Sequence, residues 1–164
     1  MKIFDTSSIV CIFREIEYPK ILDICDDLGY RLSITSQVYE EITENPETLR
    51  CLEMYGGVEI IEDGDIEHSE KLAQRYPWLH KGEISVICAG AAKKRDEKRY
   101  YCIIDERARN LRDNLQIRVT GTIGLILWER GRLALTGEEC HDLYDRFLQS
   151  SFHIKKEVLQ ELLR

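Results

Sequence analysis

The sequence predicts an α/β domain, three layers deep (α/β/α), around a central and mostly parallel sheet of about five strands. Three observations carry this expectation. Short apolar runs alternate with longer amphipathic stretches along most of the chain. The stretches between runs are long enough to be crossover helices rather than hairpin turns. One run, YYCII at 100–104, is apolar almost throughout, as a strand covered on both faces requires.

The runs are KIF, ending at Asp5; YRLSIT (30–35); VEIIE (58–62); YYCII (100–104); and IRVT (117–120). Helical periodicity fills the intervals at about 7–16, 19–28, 36–44, 46–55, 65–76, 83–95, 106–114 and 122–131. Gly29 and the Gly56-Gly57 pair are placed to end helices. Thr35-Ser36 can cap the helix that holds QVYEEI, and Pro46 suits a first helical turn. After residue 133 the pattern is helical only, so the expected division is an α/β domain over 1–132 and a helical extension over 133–164 packed on it. No internal repeat or low-complexity segment interrupts this plan.

The chain has 164 residues and a net charge of −7, which does not advertise a general nucleic-acid binder. A phosphate-bearing substrate would need a local basic surface or bound metal. MKIFDTSS meets an acid before any signal-peptide core could form, and IGLILW is too short to span a bilayer. The expected location is the cytoplasm. Six cysteines occur without a C-x-x-C, most of them inside apolar patterns, so they read as small core residues.

Charge placement is more telling. Ligands of parallel α/β sheets sit beyond the carboxyl ends of the strands. Asp5 ends the first run and Asp105 the fourth; Glu41 lies in the helix after YRLSIT; Glu83 starts the helix of GEISVICAGAA. Each has a simpler explanation. Asp5 can cap a helix, Glu83 suits a helix dipole, Glu41 has Glu40 beside it, and Asp105-Glu106 can be an ordinary N-terminal acid pair. Together they repel unless something neutralises them, and an all-oxygen set suits Mg²⁺ or Mn²⁺ rather than zinc.

The order DTSSIV, VYEEI, GEISVI, IIDERAR, VTGTIGLIL resembles the PIN-domain nucleases, in particular their VapC-like prokaryotic branch with a helical C-terminal extension. The match covers about residues 2–130. DTSSIV resembles the family's D-[ST]-S, VYEEI selects Glu41 over Glu40, GEISVI gives Glu83, and IIDERAR gives Asp105. Where similar sequences carry a second aspartate, this chain has Glu106.

The resemblance implies a ribonuclease in which Asp5, Glu41, Glu83 and Asp105 bind one or two Mg²⁺ or Mn²⁺ ions. Water would be the nucleophile, leaving a 5′-phosphate and a 3′-hydroxyl. Thr6, Thr122 and Glu106 are expected to support the carboxylates, and Arg107, Arg109 and Arg112 to meet the RNA backbone. Tyr76 and Trp78 are candidates for base stacking or for packing. The implied partners are an RNA substrate, a small antitoxin and a second copy of the chain, with no membrane. The alternative is a PIN-like module that binds RNA or protein without catalysis. A haloacid-dehalogenase-like phosphatase would need an acid where Ser7 stands, and a response-regulator receiver would need a lysine that IRVTG does not supply.

Overall fold

The structure is a computed structural model that describes residues 1–96, 100–104, 106–152 and 154–164; of 94–96, 106, 107, 112, 113, 129 and 133 only the backbone is described. Five strands, β1 (Lys2–Phe4), β2 (Leu32–Thr35), β3 (Val58–Ile61), β4 (Tyr101–Ile103) and β5 (Val119–Thr120), form one sheet in the order β3-β2-β1-β4-β5. Every pairing is parallel. The expected three-layer fold is therefore observed, with the first strand of the chain at the sheet's centre. Phe4 is level with Ile34 on one side and Ile103 on the other, so β1, β2 and β4 end together.

The helices follow from local chemistry. Asp5 caps α1 (Thr6–Val10). This helix widens into a π-helical turn, Cys11–Glu15, with the Ile16 N–H bonded to the Cys11 carbonyl at 2.9 Å. The sequence pattern reads 7–16 as one helix; the five-residue step instead brings Cys11, Ile12 and Ile16 all into the core. After α2 (Lys20–Asp27), Thr35 caps α3 (Ser36–Thr43) through the Val38 N–H. Asn45 caps α4 (Pro46–Tyr55), which stops at Gly56 in the left-handed conformation, φ 67°. α5 (Ile66–Arg75) and α6 (Lys81–Asp96) complete that half.

Beyond β4 the expected single helix over 106–114 is two short ones, α7 (Glu106–Arg109) and α8 (Arg112–Leu115). A tight turn, Leu111 N–H to Ala108 carbonyl at 3.0 Å, separates them and lets both Ala108 and Leu111 bury. α9 (Thr122–Leu133) follows β5. α6 lies against β1, β2 and β4 and also packs on α3 and α5, while α9 packs on α2.

The C-terminal segment consists of α10 (Gly137–Gln149), which opens on a capping box between Thr136 and Glu139, and α11 (Lys156–Leu159), which runs into a 3₁₀ turn. Leu143, Phe147, Leu159 and Leu162 join the same hydrophobic core as the sheet. Polar ties reinforce the join. Arg146 Nη1 donates to the Ile16 carbonyl at 2.9 Å, and the Ser151 hydroxyl and Phe152 N–H donate to the Glu15 carboxylate at 2.6 and 3.2 Å. These bonds close the C-terminal segment over the π-helical turn.

Candidate active site

β1, β2 and β4 end together at one edge of the sheet, where Asp5 and Thr6 leave β1. Asp5 leaves β1 with its N–H bonded to the Ile103 carbonyl at 3.0 Å. Its side chain is 1% exposed, and Oδ1 accepts the Ser8 N–H at 2.7 Å. The simpler reading of Asp5 as a helix cap therefore holds, and it does not compete with the other. The cap fixes the carboxylate at the sheet edge.

Glu41 is the centre of the arrangement. The Thr6 hydroxyl donates to its Oε2, and the Gly82 N–H donates to its Oε1 at 2.7 Å. Thr6 is the residue after Asp5, and Gly82 is the residue before Glu83. Glu41 thus links the starts of α1 and α6, each of which carries one of the other acids. Glu40 is exposed. Gly82 has a steric reason: a Cβ there would stand 2.5 Å from Glu41 Oε2. Glu83 is 8% exposed, and its Oε2 accepts the His80 N–H at 2.8 Å, reaching back to the N-terminus of its own helix. This reach explains why α6 starts at Lys81 instead of residue 83.

Ser85 completes the G-E-x-S unit. It donates to the Gly82 carbonyl at 2.7 Å and lies 2.6 Å from the Thr35 hydroxyl, which caps α3. With the Ser85 proton spent on Gly82, Thr35 is the donor of that second bond. The starts of α3 and α6, which carry Glu41 and Glu83, are thereby tied together in the core.

Two thiols lie behind Asp5. Burial, then Asp5, pushes Cys102 up to about 12. Burial, then Glu15 and Asp5, drives Cys11 well above the ordinary thiol range, with the Thr122 hydroxyl beside it acting in the opposite sense. Both stay neutral at physiological pH and insulate the carboxylate without adding charge. Thr122 is fully buried, and its Oγ1 has no hydrogen bond of good geometry. All six cysteines are free, and His141 bonds its own helix at the Gly137 carbonyl, 2.8 Å away.

The G-T-x-G of VTGTIGLIL also has a steric content. A Cβ on Gly121 would lie 2.7 Å from Arg109 Nη1, and one on Gly124 would overlap the Thr120 hydroxyl. Arg109 therefore lies over the uncapped N-terminus of α9, with its buried Nε lacking a hydrogen-bond partner. A guanidinium on a helix N-terminus puts two positive ends together, a setting that favours an anion.

Asp105 lies outside the described residues, as do the side chains of Glu106, Arg107 and Arg112. Among the described residues, no three His, Cys, Asp or Glu side chains stand close enough to hold a common metal ion. The donor chemistry nevertheless fits a hard cation: buried and half-buried carboxylates held by hydroxyl and amide donors, with no thiolate or imidazole bonded among them. The sequence singled out Glu41, which the structure ties to Thr6 and Gly82, but it did not disclose the roles of Gly82, Ser85 and Gly121. The glycines stood within recognised motifs, yet the clashes they avoid come from residues distant in the chain.

Among the described residues no helix is long and apolar enough to cross a membrane. A family model for the PIN domain matches residues 1–164. No curated protein and no solved structure matches the chain. The PIN domain is a nuclease fold whose members are in general metal-dependent. The parallel five-stranded sheet and the family match along residues 1–164 lead to one conclusion: the chain belongs to the PIN-domain family.

Proposed function

We propose that the protein is an endoribonuclease of the VapC-like branch, dependent on Mg²⁺ or Mn²⁺, and the toxin of a type II toxin–antitoxin pair. The observation that carries the nuclease reading is the bridge at Glu41, whose carboxylate is held by the neighbours in sequence of Asp5 and Glu83. Asp5, Glu41 and Glu83, with Asp105, would hold one or two ions. A bound divalent cation supplies Lewis acidity, making water a nucleophile near neutral pH and offsetting charge on the phosphate.

The chain's own residues do the rest. Thr6 and Gly82 fix the Glu41 carboxylate in one rotamer, so it needs no reorganisation when a cation arrives. The Asp5 cap does the same for its carboxylate. Arg109, with a buried Nε–H and a helix N-terminus beneath it, binds a phosphate of the RNA, and Arg107 and Arg112 extend that contact. Residues 1–132 carry the chemistry, and 133–164 brace the π-helical turn behind Asp5. Beyond RNA, the partners in this reading are a small antitoxin, which would neutralise the site by inserting an arginine among the carboxylates, and a second copy of the chain. The cytoplasm is its place of action.

A second reading, a PIN-like module that binds RNA or protein without cutting, is favoured by one observation: the described acids do not by themselves form a three-ligand group. Cleavage of mixed RNAs with Mg²⁺, Mn²⁺ or EDTA, comparing wild type with Asp5→Asn and Asp105→Asn, decides between them. The nuclease reading expects metal-dependent cutting that both substitutions abolish. Binding without cutting under every metal supports the second reading.

A further inference from the structure

The connector between α5 and α6 differs from the rest of this acidic chain. Asp and Glu make up 30 of 164 residues, yet none occurs from Lys71 to Gly82. Instead Arg75-Tyr76-Pro77-Trp78-Leu79-His80-Lys81 interleaves cations with aromatic rings. Leu79 is buried and its N–H bonds the Tyr76 carbonyl at 3.0 Å, so Leu79 pins the connector to the core, with the half-buried Tyr76 packed beside it. Arg75, His80 and Lys81 are exposed, and the Trp78 indole is 42% exposed. Tyr76 and Trp78 meet edge to face, 6.2 Å between centroids at 71°, with the Arg75 guanidinium 5.4 Å from the Tyr76 centroid. The connector leads directly into the proposed site: the N–H of His80, two residues after Trp78, is held by Glu83.

From this placement we propose that Trp78, supported by Tyr76 and flanked by Arg75, His80 and Lys81, is a stacking platform for a base of single-stranded RNA entering the Glu83 side of the site. This deepens the nuclease reading and rests on it for the place of the platform. An indole offers a flat face to any base, and Arg75 and Lys81 meet the flanking phosphates on a protein whose net charge otherwise repels them. The preference is for unpaired RNA, because a base inside a duplex is already stacked.

The test is a binding titration on the full chain carrying Asp5→Asn, in EDTA, with a non-self-complementary RNA 12-mer and its duplex as probes. Tryptophan fluorescence is the readout, and the Trp78→Leu variant isolates the Trp78 signal from that of the only other indole, Trp128, which is 47% exposed beside Lys2. The platform predicts quenching by the single strand and little by the duplex. It predicts loss of the quench with Trp78→Leu, binding weaker by about 5- to 100-fold, and substantial rescue with Trp78→Phe. In the wild-type background, Trp78→Leu should raise KM far more than it lowers kcat. Unchanged RNA affinity in a natively folded Trp78→Leu variant overturns the proposal. So does a Trp78→Leu variant that alters only self-association in sedimentation, which would make the patch a protein interface. If wild type never cuts RNA but the quench is present, the platform stands and the nuclease reading falls. If wild type cuts and Trp78→Leu leaves KM unchanged, the platform alone falls.

Discussion

Lys2 and Asp5 bracket the same short strand, and both are shut away from solvent, yet their surroundings are opposite in kind. The Lys2 ammonium lies 4.5 Å from the Tyr30 ring centroid, 4.7 Å from Tyr101 and 4.2 Å from Trp128. Those rings come from the loop before β2, from β4 and from α9, so the cation joins three parts of the fold. Asp5 instead accepts a helix-terminal N–H, and the hydroxyl next to it in sequence holds a second carboxylate. Aromatic faces around a cation have nothing further to offer a ligand. Carboxylates drawn together at helix starts are each stable locally and jointly attractive to a cation. In the proposed reading the same strand carries a structural charge at one end and a functional charge at the other.

The sharpest way to break this comparison is Asp5→Asn. Asparagine caps a helix as well as aspartate, so the melting temperature should stay nearly unchanged, while RNA cleavage should fall by at least about 100-fold. A parallel loss of stability would show that Asp5 matters for folding rather than chemistry. Lys2→Ala should do the reverse: about 2–4 kcal/mol of stability lost in denaturant unfolding, with activity per folded molecule retained. Gly82→Ala tests whether Glu41 must be held where it is. Its Cβ would press on the carboxylate, and cleavage should drop about 10- to 100-fold. Smallest is Thr136→Ala, which removes the α10 capping box; about 1 kcal/mol of stability should go, with unchanged kcat.

Much of this was legible in the linear chain because the signals were local. KIF, LSIT and VEII are strands since their apolar runs lie between helix caps, and Asn45-Pro46 and Gly56 mark α4 at both ends. Glu41 stood apart from Glu40 only through the motif around it, and its contacts with Thr6 and Gly82 supply the physical reason. What could not be read depends on partners far away in sequence. The π-helical turn is set by burial of Cys11 and Ile16 and is held by Glu15 contacts from residues 151 and 152. The break at Leu111 reflects core packing, not propensity, since nothing in NLRDN forbids a helix. The cage around Lys2 requires residues 30, 101 and 128 to meet, which no window of sequence contains.

The central place of β1 also has a consequence for biosynthesis. Its two neighbours are β2 and β4, and the second of these ends at Ile103. At translation rates of about 5–20 residues per second, the ribosome needs roughly 5–20 seconds to travel from Asp5 to the end of β4. During that interval the strand has at most one flank covered, and the rings at 101 and 128 that will surround its lysine do not yet exist. A nascent chain of this design stays unfinished at its middle until nearly two thirds of it is made, so the edge at which β1 and β4 end together is completed late.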